Sequence, residues 1–146
     1  ECLNDYSLDE FKRPFISNNF DFNISHSGNI VALIAASGCR VGIDVEKIVE
    51  IEIEEYRSCF NKEEWNAIIS SDIVENCFFE YWTKKERVLK CNGSGLLREP
   101  STISVICDQT VIDGQEYYYR EIELHKDYTC YVAFDKPIDN IRIIKF

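Results

Sequence analysis

Val41-Gly42-Ile43-Asp44-Val45-Glu46 has the composition of a strand, yet it carries two carboxylates. β-Branched residues at 41, 43 and 45 suit a pleated, half-buried surface. Residues two apart on a strand share a face, roughly 7 Å apart along the chain. Asp44 and Glu46 therefore point one way, while Ile43 and Val45 point into a core. Two carboxylates on one face repel unless something positive lies between them. Mg²⁺ suits that place, because it takes one or two carboxylates, keeps water and binds substrate phosphates. A solvated strand face with Lys47 nearby is the competing reading.

Upstream, Asp21 to Ser25 and Ile30 to Ser37 read as two further strands, with turn chemistry at Ser27-Gly28-Asn29 and at Ser37-Gly38. Three short strands joined by tight turns predict an antiparallel meander. Downstream the period changes. Ile51 to Phe60 is amphipathic. Asn61 is placed to cap a helix from Lys62 to Ile69, with Glu64 at the capping-box position. Ser71 or Asp72 is placed to cap the longest helix, which ends near Cys91 at Asn92-Gly93-Ser94-Gly95. The last third is β-rich: Thr102 to Cys107, Tyr117 to Leu124, Tyr128 to Phe134 and Ile141 to Ile144 all read as strands. Strands, then helices, then strands make the class α+β, with an antiparallel sheet packed on helices.

The chain has 146 residues, of which 45% are apolar, enough for one domain with a real core. Its 26 acidic residues against 16 basic ones give a net charge of −10. That excludes general nucleic-acid affinity, which needs a basic surface to displace counterions. No apolar run reaches the roughly 18 residues needed to cross a membrane. Seven cysteines, an odd number without a CxxC pair, read as reduced thiols of a cytoplasmic protein rather than a disulfide or zinc framework. The chain has no Met and opens on Glu1, which reads as a fragment or a trimmed chain.

Glu86 and Lys90 stand at i and i+4 on the long helix, so they are neighbours on one face. Glu86 also follows Trp82 by four residues and borders the apolar stripe. A surface ion pair is one reading; a third carboxylate for the metal, with a Lys for phosphate, is the other. His26 lies at a strand end beside Ser25, Ser27 and Gly28, a set that can cradle an anion. Lys12 and Arg13 put two cations before Pro14. Glu64 is either a helix-capping acid or a general base.

Together these segments resemble the 4′-phosphopantetheinyl transferases of the surfactin-synthetase-activating type. The matching residues are Asn23-Ile24-Ser25-His26-Ser27-Gly28, Gly42-Ile43-Asp44-Val45-Glu46, Phe60 with Glu64, and Trp82-x-x-Lys85-Glu86-x-x-x-Lys90 leading to Gly93-x-Gly95-Leu96. The match runs from Arg13 to Leu96. It implies an enzyme that moves the phosphopantetheine arm of coenzyme A onto a serine of an acyl- or peptidyl-carrier protein, leaving adenosine 3′,5′-bisphosphate. By position, Asp44, Glu46 and Glu86 would hold Mg²⁺, or Mn²⁺. Lys90 would neutralise the pyrophosphate and assist the leaving group. Ser25, His26 and Arg13 would bind the 3′-phosphate end of coenzyme A, Lys85 would contact phosphate, and Glu64 would be a candidate base for the serine.

The resemblance also implies a pseudo-twofold architecture of two similar α+β halves. Residues 1–40 would then be the last strands of the first half, and 41–146 the second half with the metal site. The rest of the first half, or another chain, would complete the site. Two other functions compete: a coenzyme A or carrier-protein binding remnant without turnover, and a metal-dependent phosphohydrolase that needs no carrier.

Overall fold

The structure is a computed structural model that describes residues 7–8, 14–15, 19–93 and 98–145. Two-residue strands β1 (Ser7–Leu8) and β2 (Pro14–Phe15) pair antiparallel. β3 (Phe20–Ser27) and β4 (Ile30–Ser37) form the hairpin expected from their alternation. Gly28 makes the turn at φ +54°, a backbone region that favours glycine.

β5 (Val41–Lys47) does not continue that hairpin as a meander. It pairs with a distant strand near the C-terminus instead. Between them lie a 3₁₀ segment (Ile53–Cys59), α1 (Lys62–Ile69), α2 (Val74–Asn92), a short 3₁₀ turn (Pro100–Thr102), β6 (Gln109–Ile112) and β7 (Gln115–Glu121), followed by β8 (Tyr128–Phe134). The second sheet has the order β5-β8-β7-β6, antiparallel throughout. The expected α-helix over Ile51 to Phe60 is thus 3₁₀, with no fully buried residue to favour the wider α geometry. Thr102 to Cys107 and Ile141 to Ile144 are not strands; the strand before the Asp113-Gly114 turn is β6.

Local chemistry explains both helices. The Asn61 side chain accepts from the Glu64 N–H, and the Glu64 carboxylate accepts from the Asn61 N–H, a complete capping box. α2 starts at Ile73 without a side-chain cap and stops at Gly93, which is left-handed at φ 90°. Its length comes from what it buries rather than from its ends.

The four-stranded sheet is covered on both faces. One face packs Val41, Ile43, Val45, Cys130, Val132 and Phe134 against the inward residues of β4, Ile30, Ala32, Ile34 and Ala36. Residues on either side of position 40 therefore share one core. The other face meets α2, with Val88, Leu89 and Cys91 against Tyr117, Tyr119, Ala133 and Ile112. Phe60, Trp65, Ile68, Phe78 and Phe79 join the two helices in a third cluster.

α2 lies close against β5 at Gly42. A Cβ there would lie 2.4 Å from the Arg87 carbonyl oxygen and 2.8 Å from the Cys91 nitrogen. Both are helix backbone and cannot rotate away. Gly42→Ala is therefore expected to destabilise by about 1–3 kcal/mol through overpacking. A urea midpoint equal to the wild type's would show that the helix has slack there.

Candidate active site at the contact of β5 and α2

With Gly42 bringing α2 close, the next residues on the same face of β5 meet the helix directly. Asp44 is 2% exposed. Lys90 of α2 pairs with Asp44 Oδ1 and also donates to Ser25 Oγ at 3.3 Å. Ser25 Oγ donates to Asp44 Oδ1 at 2.8 Å. Asp44 Oδ2 is buried with no hydrogen-bond partner. Glu46, half-buried, accepts from Ser27 Oγ at 2.9 Å. Glu86 sits one helical turn before Lys90, also half-buried.

Burial pushes all three carboxyl groups above their ordinary range. For Asp44, desolvation outweighs Lys90, Ser25 and Arg87, which act against it. For Glu46 and Glu86, desolvation comes first and the charge of Asp44 second. The three acids thus repel one another through Asp44, with Lys90 acting against each shift. Among the described residues no three such side chains converge closely enough to hold a metal ion as they stand. The donor chemistry nevertheless fits a hard divalent cation. Three carboxylates share one charge problem, and one buried oxygen lacks a partner.

The other expected site residues go elsewhere. Strand alternation sends Ser25 and His26 to opposite faces of β3, Ser25 at 6% exposure and His26 outward to solvent. They form no common cradle. Glu64 is completely buried and forms an ion pair with Lys85 at 2.7 Å. Its oxygens also accept from the Val105 N–H at 2.9 Å and the Asn61 N–H at 3.0 Å. Lys85, 1% exposed, donates to the Pro100 carbonyl at 2.9 Å and to that of Ile103. Burial lowers its pKa, with Glu64 opposing the shift. The pair ties α1 and α2 to the segment after residue 98, away from solvent. Neither residue contacts Asp44, Glu46 or Glu86 among these interactions. Arg13 lies outside the described residues.

A cleft of about 400 Å³ opens beside Glu46. Its walls include Ser27, Lys47, Tyr56, Phe79 and Trp82. Polar and aromatic groups therefore meet beside Glu46.

The family model of the 4′-phosphopantetheinyl transferase superfamily matches residues 40–133, which span β5, both helices and β6 to β8. The chain belongs to that superfamily. As a phosphopantetheinyl transferase homologue it is 33% identical over 135 residues to "4′-phosphopantetheinyl transferase gsp" of Aneurinibacillus migulanus, covering 86% of this chain and 56% of that protein. It is 34% identical over 132 residues to "4′-phosphopantetheinyl transferase Sfp" of Bacillus subtilis (strain 168), covering 87% and 55%. The chain thus spans a little over half the length of these relatives. The fold is similar to that of the Thermotoga maritima holo-[acyl-carrier-protein] synthase crystal structure, with TM-score 0.50, 13% identity and coverage of 65% of this chain and 61% of that one. That likeness shows the fold alone, and the α+β class with antiparallel sheet and helices stands.

Two residues of this candidate site have contacts that the sequence did not indicate. Ser27 reads as turn chemistry and as part of an anion cradle, yet its hydroxyl donates to Glu46. The signal was the polar alternation Asp21, Asn23, Ser25, Ser27, which has no place on a solvated strand whose outer face is Phe20, Ile24 and His26. Arg87 is fully buried, its guanidinium 3.9 Å from the Tyr119 ring and 4.8 Å from the Tyr131 ring. Its three nitrogens have no hydrogen-bond partner, and burial pushes its pKa down to about 9. It adds a fixed positive charge behind Asp44.

Among the described residues no helix is long and apolar enough to cross a membrane. Cys39, Cys59, Cys77, Cys91, Cys107 and Cys130 are free thiols.

Proposed function

We propose that this protein transfers 4′-phosphopantetheine from coenzyme A to a serine of an acyl- or peptidyl-carrier protein, as a holo-[acyl-carrier-protein] synthase type enzyme of the cytoplasm. One observation carries the reading: a buried Asp44 with an orphaned oxygen, flanked by Glu46, Glu86 and Lys90, in a chain of this superfamily.

Asp44, Glu46 and Glu86 are the residues to hold a divalent cation, Mg²⁺ or Mn²⁺. When bound, such an ion supplies charge neutralisation across the pyrophosphate of coenzyme A. The chain's own groups do the rest. The serine oxygen forms a bond to the phosphorus that bears the pantetheine arm. The bond from that phosphorus to the bridging oxygen breaks, and adenosine 3′,5′-bisphosphate leaves. Phosphoryl transfer is mostly positioning and charge neutralisation. Lys90 places an ammonium where negative charge grows on the leaving group. Glu86 holds the cation with Asp44 and Glu46, and the serine proton passes to a carboxylate oxygen of that set. The cleft beside Glu46 receives the pantetheine arm.

Glu64 and Lys85 take a positioning role in this reading, in place of base and phosphate contact. A carboxylate that already accepts three hydrogen bonds in a sealed site does not meet a serine hydroxyl. His26 and Arg13 remain the proposed contacts to the 3′-phosphate. The outer face of the β3–β4 hairpin, where Ile24, Val31 and Leu33 are exposed, is the place we assign to a further half or a second chain.

Release of adenosine 3′,5′-bisphosphate tests the reading. It is expected only when apo carrier protein is present. Release at the same rate without carrier would mean hydrolysis rather than transfer.

The site also has a pH signature. Its acids have folded pKa values above their unfolded ones, so they bind more protons when folded. Their contribution to stability is full below the ordinary carboxylate range and is lost as pH rises through the raised values. A cation that binds the ionised acids recovers that loss. The rise in melting temperature on adding Mg²⁺ is therefore expected to be larger at pH 7 than at pH 5. Equal rises at both pH values would remove these acids from the site.

A further inference from the structure

We propose that Ser25 and Ser27 are positioning residues that orient the metal-site carboxylates, each hydroxyl fixing one acid through a hydrogen-bond unit repeated along β3 and β5. The inference deepens the divalent-cation reading and rests on it.

β5 is an edge strand of its sheet, so alternate N–H groups on its open side need partners. β3 supplies side chains rather than backbone. Asp21 Oδ2 accepts from the Val41 N–H at 2.7 Å, and Asn23 Oδ1 accepts from the Ile43 N–H at 2.9 Å. Ser25 Oγ accepts from the Val45 N–H at 3.3 Å, and Ser27 Oγ accepts from the Lys47 N–H at 3.0 Å. All four bonds join residues 20 apart, so the two strands run in step.

The serines also reach the carboxylates of β5. Each hydroxyl also donates to the carboxylate 19 residues on, Ser25 to Asp44 at 2.8 Å and Ser27 to Glu46 at 2.9 Å. A hydroxyl has one proton and two lone pairs. Once a backbone N–H has taken one lone pair, the rotor is fixed and its single proton is aimed at the acid. The acid is thereby tied to the main chain through one oxygen, which is how outer-shell groups hold metal ligands in orientation. Asn23 makes the same backbone bond, but the residue at its carboxylate position is Gly42, which has no side chain. Asn23 is thus an internal control for docking without positioning.

The test is Mn²⁺ binding to the protein, followed by electron paramagnetic resonance without coenzyme A or carrier. Ser27→Ala is expected to weaken Mn²⁺ binding about 10-fold or more. Ser27→Thr, which keeps the hydroxyl, is expected to bind close to wild type. Asn23→Ala is expected to lower the melting temperature and leave Mn²⁺ affinity unchanged. Wild-type affinity in Ser27→Ala would overturn the inference while leaving the cation site standing. So would a loss in Asn23→Ala equal to that in Ser27→Ala, because hairpin docking alone would then account for it. No Mn²⁺ binding by the wild type would remove the cation reading itself, and this inference with it.

Discussion

Lys85→Met is expected to destabilise the protein by about 3–5 kcal/mol, the cost of leaving one member of a buried ion pair alone. Glu64 is sealed from solvent and Lys85 is 1% exposed, so no water replaces the lost ammonium. The carbonyls of Pro100 and Ile103 lose a donor in the same step. Glu64→Gln/Lys85→Met is expected to recover part of the loss. Glutamine removes the uncompensated charge and keeps one carbonyl oxygen, which serves the N–H of Val105 or that of Asn61 but not both, because the two bond to different carboxylate oxygens. Urea unfolding of the two single variants and the double variant reads the coupling directly. A Lys85→Met variant within about 1 kcal/mol of wild type, well under the range for a broken buried pair, would mean that the pair is solvated and free for chemistry.

Asp44→Asn is expected to do the opposite: to spare the fold and abolish the reaction. Asparagine keeps the shape, and its oxygen still accepts from Ser25 and Lys90. The charge it removes is one that burial already disfavours, so metal-free stability is expected to hold or rise. Turnover is expected to fall on the order of 1,000-fold, several kcal/mol of lost charge stabilisation at the transition state. Mn²⁺ affinity should fall with it. Retained turnover in a folded Asp44→Asn variant would move the cation site elsewhere. The two variants thus separate two of the charged pairs of α2. One, Glu64 with Lys85, carries structure. The other, Asp44 with Lys90, carries the proposed chemistry.

Local rules in the sequence reached far into the fold. The capping box at Asn61, the stop at Gly93, the β3–β4 hairpin and the shared face of Asp44 and Glu46 all follow from spacing alone. Non-local pairing did not follow. β5 looks like the third strand of a meander, because nothing local says that β3 already caps its edge with side chains while β8 takes the other side. The segment 53–59 shows a helical period but buries nothing fully, and it settles as 3₁₀.

The candidate site divides along the same line. Asp44 and Glu46 share one strand face, and Glu86 and Lys90 one helix face, so periodicity places them on facing surfaces. Ser25 and His26 are adjacent in sequence, and adjacency on a strand means opposite faces; the alternation rule already separates them. The resemblance alone gives Lys85 a phosphate contact, and Glu64 reads as a helix-capping acid or a general base. Their burial, visible only in three dimensions, makes them partners of each other. Arg87 had no signal, since a lone Arg on a helix reads as surface until two tyrosines from distant strands close over it.

The measurement that bears most directly on the central claim is the intact mass of an apo carrier protein incubated with this protein, coenzyme A and Mg²⁺. The account predicts a gain of one phosphopantetheine unit that disappears on chelation of the metal and in Asp44→Asn. An unchanged carrier mass, with coenzyme A and Mg²⁺ both shown to bind, would contradict it and leave a binding protein in place of a transferase.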